Sequence, residues 1–326
     1  MDKILVDTLV FYLPHNWSYR AMSLIDELSP LADEEHDLLD RVSARLPIMA
    51  DLSRSDLLLY RAADADRAVV VAHARPHSVQ SVHSQDQTGQ VVNRRTFPLI
   101  ARVLAGQRDG GASSQGQPGE LVMNETWAVR SPSGSVIAAL FIETTVVEAR
   151  RHHRRSPVFR NALRDLQAML VRGELQGADK LSSFGEHDGI LFVDEKQQIR
   201  YVSGVAENLY RKLGHAESLL RHSITSLGTS ESAYFAAAER GECVEVETQE
   251  GQLVWIRKAI PVRETQNRLP LPLGDRSQWR GTLLMVSDVT DIRRRERELM
   301  GQRKGFRERL RHQTVCLASD DVTPSP

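Results

Sequence analysis

Cysteine is scarce in this chain and no charge of one sign dominates it; both shortages narrow the chemistry. Among 326 residues only Cys243 and Cys316 are cysteines. They form no C-x-x-C pair, so zinc ribbons and thioredoxin-type redox centres are excluded. A disulfide between them is not expected in a chain with no sign of export. The formal net charge is −1, which gives no global pull onto nucleic acid or a membrane surface. No apolar run reaches the ~18 residues a membrane span needs. Asp7 interrupts the apolar start and no small-residue cleavage site follows, so a signal peptide is not expected and the chain reads as cytoplasmic. There is no phosphate-binding G-x-x-x-x-G-K-[ST], no G-x-G-x-x-G after a strand, no H-E-x-x-H and no G-x-S-x-G. No catalytic residue, metal site or cofactor is therefore predicted, and any small-molecule ligand is unspecified.

Hydrophobic residues make up 41% of the chain, enough for packed cores, and the length suggests two domains. The most informative stretch is Arg280–Leu299. Its apolar segment, Leu283 to Val286, reads as a buried strand. It passes through Asp288, Val289, Thr290 and Asp291 directly into a charged, helix-forming segment. Thr290 or Asp291 is expected to cap the first helical turn with a side-chain oxygen, and an acid suits the positive end of the helix dipole. A core strand wired to an emerging helix can carry a change inside a domain outward. Asp288, Thr290 and Asp291 are thus the candidate signal-coupling residues. The bland alternative is an ordinary strand end and helix cap, which needs the same hydrogen bonds.

Upstream, Ser29-Pro30 has the form of a helix start, and Leu31, Leu38, Leu39, Val42, Leu46 and Met49 follow at helical spacing. Strands are expected at Leu57–Tyr60 and Ala68–His73, joined by a turn at residues 63–66. Pro98–Leu104 reads as a short helix and residues 106–120 as a mobile loop. Strands Leu121–Val129 and Val136–Glu143 flank a Ser-Pro-Ser-Gly turn. From Val147 to Leu175 a helix or helical pair is expected, with Phe159, Leu163, Leu166, Met169 and Leu170 as its apolar stripe. Two strands then follow (Ile190–Val193, Ile199–Ser203), with a helix ending at Gly214. Further helical turns are expected over Ser218–Leu227 and Ala233–Arg240. Three more strands start at Cys243, Leu253 and Arg280, with Pro261 weakening the end of the second.

Gly189–Asp194, Ile199–Ser203, Ala206, Leu209, Gly214 and the terminal Asp288-Val-Thr-Asp291 resemble a PAS domain, whose Asp-x-Thr element links the core to a signalling helix. Asn is common in that family where Ser203 stands here. Ala50-Asp-Leu-Ser53 with Asp56, Ala74-Arg-Pro76, Asp86-x-x-Gly89 and Pro98-Leu99 resemble a GAF segment. To about Met300 the chain resembles the input half of cytosolic two-component GAF–PAS sensor histidine kinases of the PdtaS type. The resemblance implies an α+β fold: a GAF-like antiparallel sheet domain (1–147), a helical connector (148–182), a PAS domain with a five-stranded antiparallel sheet and short helices (183–290) and a signalling helix (291–312); residues 313–326, which do not match the family, are expected to be a disordered tail. It also implies histidine autophosphorylation and transfer to a response regulator as the output. The family's phosphoacceptor box, His-His-Arg-Val-Lys-Asn-Asn, is not found after Met300, where His312 stands alone. The expectation is therefore an input module without autokinase activity of its own. A truncated or frame-shifted record of a kinase, or a regulatory protein forming mixed dimers with one, are the alternatives.

On the exit helix, Ile292, Leu299 and Phe306 recur every seven residues, but Arg295, Gln302 and Arg309 occupy the other seam positions, so the stripe is thin. A homodimer through the connector and C-terminal helices is the expectation adopted, against a solvated helix. Glu296, Glu298 and Glu308 interleave the arginines and no aromatic platform accompanies them, which argues against nucleic acid. His152 and His153 are adjacent, about 100° apart on a helix, and read as solvated linker. His73, His77 and His83 with Asp86 read as loop histidines rather than a metal site. His187, His215 and His222 carry no further haem signature, and Cys243 is not in a flavin-photosensor setting.

Overall fold

The computed structural model describes Leu28, residues 30–107, 122–231, Phe235, Ala238, 241–263 and 279–300. These form two compact units. One comprises the residues up to Arg155 together with Leu166–Glu174; the other comprises Ser156–Asp165 and the residues from Leu175 onward.

In the first unit, helix α1 (Asp33–Ser53) precedes β1 (Asp56–Ala62), β2 (Arg67–Ala74), β3 (Val91–Asn93), α2 (Pro98–Leu104), β4 (Val122–Arg130), β5 (Val136–Thr145) and α3 (Val146–Arg154). The sheet order is β3-β2-β1-β5-β4, antiparallel throughout. The helix does not begin at Ser29-Pro30 as expected. Ala32 is the residue before its first turn, its N–H donates to Glu35 Oε2 at 3.2 Å, and Asp33, Glu34 and Glu35 supply negative charge where the dipole is positive. Three carboxylates outcompete the Ser-Pro pair as the start signal. The short strand β3 was not expected; three residues with exposed ends carry little periodicity. On one face of the sheet Leu58, Tyr60, Val70, Ala139 and Phe141 pack with Ile100 and Val103 of α2.

Helix α4 (Pro157–Val171) follows, with Phe159, Leu163, Leu166, Met169 and Leu170 all buried as the stripe predicted. Its first half is grouped with the second unit and its second half with the first.

The second unit contains β6 (Gly189–Asp194), β7 (Ile199–Val202), α5 (Gly204–Lys212), β8 (Val244–Glu250), β9 (Leu253–Arg263) and β10 (Trp279–Asp288), after which α6 runs over residues 290–300. The sheet order is β7-β6-β10-β9-β8, with short helices between β7 and β8, the architecture the PAS resemblance implies. Instead of helical turns from Ser218, only a 3-10 turn at Ile224–Leu227 forms. Of the segment 233–240, only Phe235 and Ala238 lie among the described residues, and both are helical. Strand β9 runs through Pro261 to Arg263. Its pairing with β8 stops at Ala259, so the missing N–H of Pro261 removes no bond to β8. Ser203 accepts the amides of Ile190 and Ala206 at 2.9 and 3.2 Å, so one hydroxyl both caps α5 and ties it to β6. Gly189 is required there: a Cβ would lie 2.6 Å from the Cα of Ala206. Among the described residues no helix is long and apolar enough to cross a membrane.

Candidate functional site

The junction between β10 and α6 is built from three hydrogen-bonded layers. Strand β10 is central, paired with β6 and β9, and Leu283 to Val286 are buried as the sequence implied. At its end Asp288 Oδ1 accepts the Thr290 amide at 3.2 Å and the Thr290 hydroxyl at 2.5 Å. The other oxygen, Oδ2, takes Lys212 Nζ of α5 at 2.7 Å. Thr290 Oγ1 in turn accepts the amide of Val254 at 2.9 Å, and the Val289 amide donates to the Val254 carbonyl at 2.9 Å. One carboxylate and one hydroxyl thus bind the first turn of α6 to β9 and to α5 together.

The expected cap is corrected in its detail. Asp288, two residues ahead, supplies the oxygen that receives a backbone amide; Thr290 already lies within the helix, and Asp291 pairs with Arg294 at 2.8 Å. An Asp two residues before a free amide closes an Asx-type turn at little cost, and so wins over a cap further along. Burial alone would raise the Asp288 pKa; the hydrogen bonds from Lys212 and Thr290 outweigh it and hold the carboxyl below the usual aspartate value. Arg293, one turn on, donates to Glu247 of β8 through Nε at 2.8 Å and Nη2 at 2.6 Å, and to Glu296 at 2.7 Å. Local patterning does not point to the Glu247 partner, because it lies 46 positions from Arg293 in the chain. A groove of about 750 Å³ lies along this contact, lined by Glu247, Val254, Arg293, Arg297 and Met300 among others. Ile292 and Leu299, the first two seam residues, are 55% and 59% exposed; Phe306 lies outside the described residues.

The histidines behave differently from the sequence reading in two places. His152 is not solvated: its Nε2 hydrogen-bonds the Ser53 carbonyl. Burial first, then the charge of Arg155, pulls its pKa down to about 4. His73 lies in β2, as the expected strand Ala68–His73 has it and against its reading as a loop histidine, and its side chain is fully buried. The Gln87 amide donates to its Nδ1 at 3.1 Å, and its Nε2 lies 3.3 Å from Asp56 Oδ1, so the proton sits on Nε2 and points at Asp56. Asp56 also receives Ser81 Oγ and the Val82 amide, the latter at 2.7 Å. His83 bonds Glu143 and meets the His73 ring edge-on at 5.5 Å. His77, exposed, reaches Asp51 at 3.0 Å. No group of these residues has the geometry of a metal site among the described residues.

These two five-stranded sheets, each with its own helices, and the helix leaving the second define a tandem α+β module. Residues 22–162 match the family described as "Histidine kinase PdtaS, GAF domain". The sensor histidine kinase PdtaS of Mycolicibacterium smegmatis is 26% identical over 301 residues, with 87% of this chain and 58% of the relative covered. PdtaS of Mycobacterium tuberculosis (strain CDC 1551 / Oshkosh) is 27% identical over 297 residues, covering 87% and 59%. The chain therefore spans under two thirds of the length of these relatives. A solved "Sensor region of a sensor histidine kinase" shares the fold, with a TM-score of 0.61 and 22% identity over 84% of this chain and 99% of that one. Over 87% of its length the chain is similar to the PdtaS kinases, and residues 22–162 carry the match to their GAF domain.

Proposed function

We propose that this chain is the signal-sensing input module of a cytoplasmic two-component system. A ligand or partner bound in the GAF or PAS domain shifts the conformational balance of that domain, and the junction at Asp288, Thr290 and Asp291 passes the shift into α6. The output, by likeness to the PdtaS kinases, is histidine autophosphorylation in a kinase core and phosphotransfer to a response regulator. Ile292 and Leu299, exposed on α6, form the start of a parallel seam with a second copy of the chain.

The observation that carries this reading is the double attachment of α6. Its first turn is held by β9 through Val254 and by α5 through Asp288 and Lys212, so movement of either element reaches the helix without a flexible break. A free helix on a linker would need none of these bonds.

The test is a chimaera. Residues 1–300 are joined in heptad register to the phosphoacceptor and ATP-binding segments of a PdtaS kinase, and autophosphorylation is measured with Thr290→Val and Asp288→Ala variants. A change of several-fold with folding preserved supports the input role. Phosphorylation indifferent to both variants sinks it. Light scattering at high concentration tests the dimer, and a clean monomer removes that part.

A further inference from the structure

The interior of the second unit holds a charged cluster that the junction does not use. Tyr210, Glu231, Trp255 and Arg257 each have 0% exposure. Trp255 and Arg257 are two apart on β9 and so share the face of the sheet turned to the helices. Tyr210 is on α5, and Glu231 has helical backbone. Glu231 Oε1 accepts from the Tyr210 hydroxyl and from Arg257 Nε, the latter at 2.5 Å. Arg257 Nη1 donates to Thr248 and lies 3.2 Å from Glu250. The guanidinium sits over the Trp255 ring, 4.9 Å from its centroid, and Trp255 meets Tyr210 at 5.2 Å.

Three polar atoms of this cluster have no hydrogen-bond partner: Glu231 Oε2, Arg257 Nη2 and Trp255 Nε1. Buried polar groups are nearly always paired, and a closed structural ion pair with good geometry would satisfy its remaining positions. Here the unmet set is one acceptor beside two donors, on residues in mutual contact. Charge selects the complement. Two carboxylates, Glu231 and Glu250, face one guanidinium, so an anion is repelled. A cation would meet two N–H donors. A neutral group that donates to Oε2 and accepts from Nη2 and Nε1 satisfies all three.

We propose that this cluster is a binding site for a small uncharged molecule carrying a donor beside an acceptor, the chemistry of a primary carboxamide, held by Glu231, Arg257 and Trp255. The proposal gives the sensor reading a ligand class and rests on that reading only for its consequence. The relay is short: α5 carries Tyr210, bonded to Glu231, and Lys212, bonded to Asp288.

The test is indole ¹⁵N–¹H NMR of the full chain titrated with acetamide, with acetate and methylammonium as charged controls. The Trp255 signal is assigned by its loss in Trp255→Phe. A saturable movement of that signal with acetamide alone is expected. So is a rise in Tm with acetamide whose apparent affinity falls about tenfold in Trp255→Phe, the loss of one hydrogen bond of ordinary worth. An indole signal that ignores acetamide, that responds equally to acetate, or whose N–H contacts water only, overturns the proposal. These readouts are independent of the chimaera above. Acetamide binding with an indifferent kinase would remove the sensor role and leave the site, while the reverse would remove the site and leave the role.

Discussion

Val254 is bonded in both directions by the start of α6: its amide donates to Thr290 Oγ1 and its carbonyl accepts from the Val289 amide, each at 2.9 Å. This reciprocal pair places the helix on the β8–β9 side of the sheet, one residue after β10 ends at Asp288.

Replacing Thr290 by Val keeps the shape and removes the hydroxyl, stranding the Val254 amide. A loss of about 1–3 kcal/mol is expected, together with faster hydrogen exchange at the amides of Val254 and of the first turn of α6. Thr290→Ser restores both. Denaturant unfolding and exchange mass spectrometry read the outcome; unchanged exchange in the Val variant would show that the clasp does not hold the helix.

Asp56 makes the first unit acid-sensitive. Burial would raise its pKa, but hydrogen bonds from His73, Ser81 and the Val82 amide outweigh it and lower the value. A carboxyl depressed on folding stabilises the folded state above its unfolded pKa, and that contribution disappears as pH falls through the lower folded value. Asp56→Asn is expected to cost about 2–3 kcal/mol at neutral pH, the worth of bonds to a charged group. The gap between variant and wild type should close on acidification below about pH 4.

His152 acts over a different window. Its folded pKa of about 4 lies below the ordinary 6.5, so the unfolded chain takes up the proton first as pH falls. Stability is unaffected above pH 6.5 and declines from there to about pH 4, by some 3–4 kcal/mol in total at about 1.4 kcal/mol per unit. In His152→Asn that slope should flatten. Urea midpoints between pH 4 and 7 measure it, and parallel curves for the two proteins would contradict the burial of this ring.

Glu231→Ala leaves Arg257 buried beside Glu250 alone and strands the Tyr210 hydroxyl. Removing one member of a buried ion pair costs about 3–5 kcal/mol, so loss of cooperative unfolding at moderate denaturant is expected for the second unit. A variant as stable as wild type would mean that water reaches the cluster.

Most of the sheet framework was readable in the sequence. The turn signals at residues 63–66, at Ser131-Pro-Ser-Gly134 and at Gly214 sit between strongly apolar runs, and Pro98–Leu104 starts with Pro where a helix tolerates it. Local patterning was weaker where the deciding partner is distant. Strand β3 exists because β2 offers a free edge over Arg67–Val69, not because Val91–Asn93 has any period. The role of Asp288 depended on Lys212, 76 positions away. His152 looked like linker because its neighbours are arginines; the Ser53 carbonyl that buries it lies 99 positions upstream. The Glu231–Arg257 pair left no trace at all, since each residue separately resembles an ordinary surface charge.

The register of β10 has a consequence for the kind of motion a sensor can use here. Leu284 faces both Leu191 and Ala259, and Asp288 faces Trp255. Sliding the strand by one position would turn every inward side chain outward, and sliding it by two would break both ladders on its flanks. The last strand is therefore a fixed rail rather than a piston. What remains for the helix is to pivot or unclasp at its root, so a signal would emerge as a change of tilt or of grip, in discrete steps, instead of a graded push along the axis.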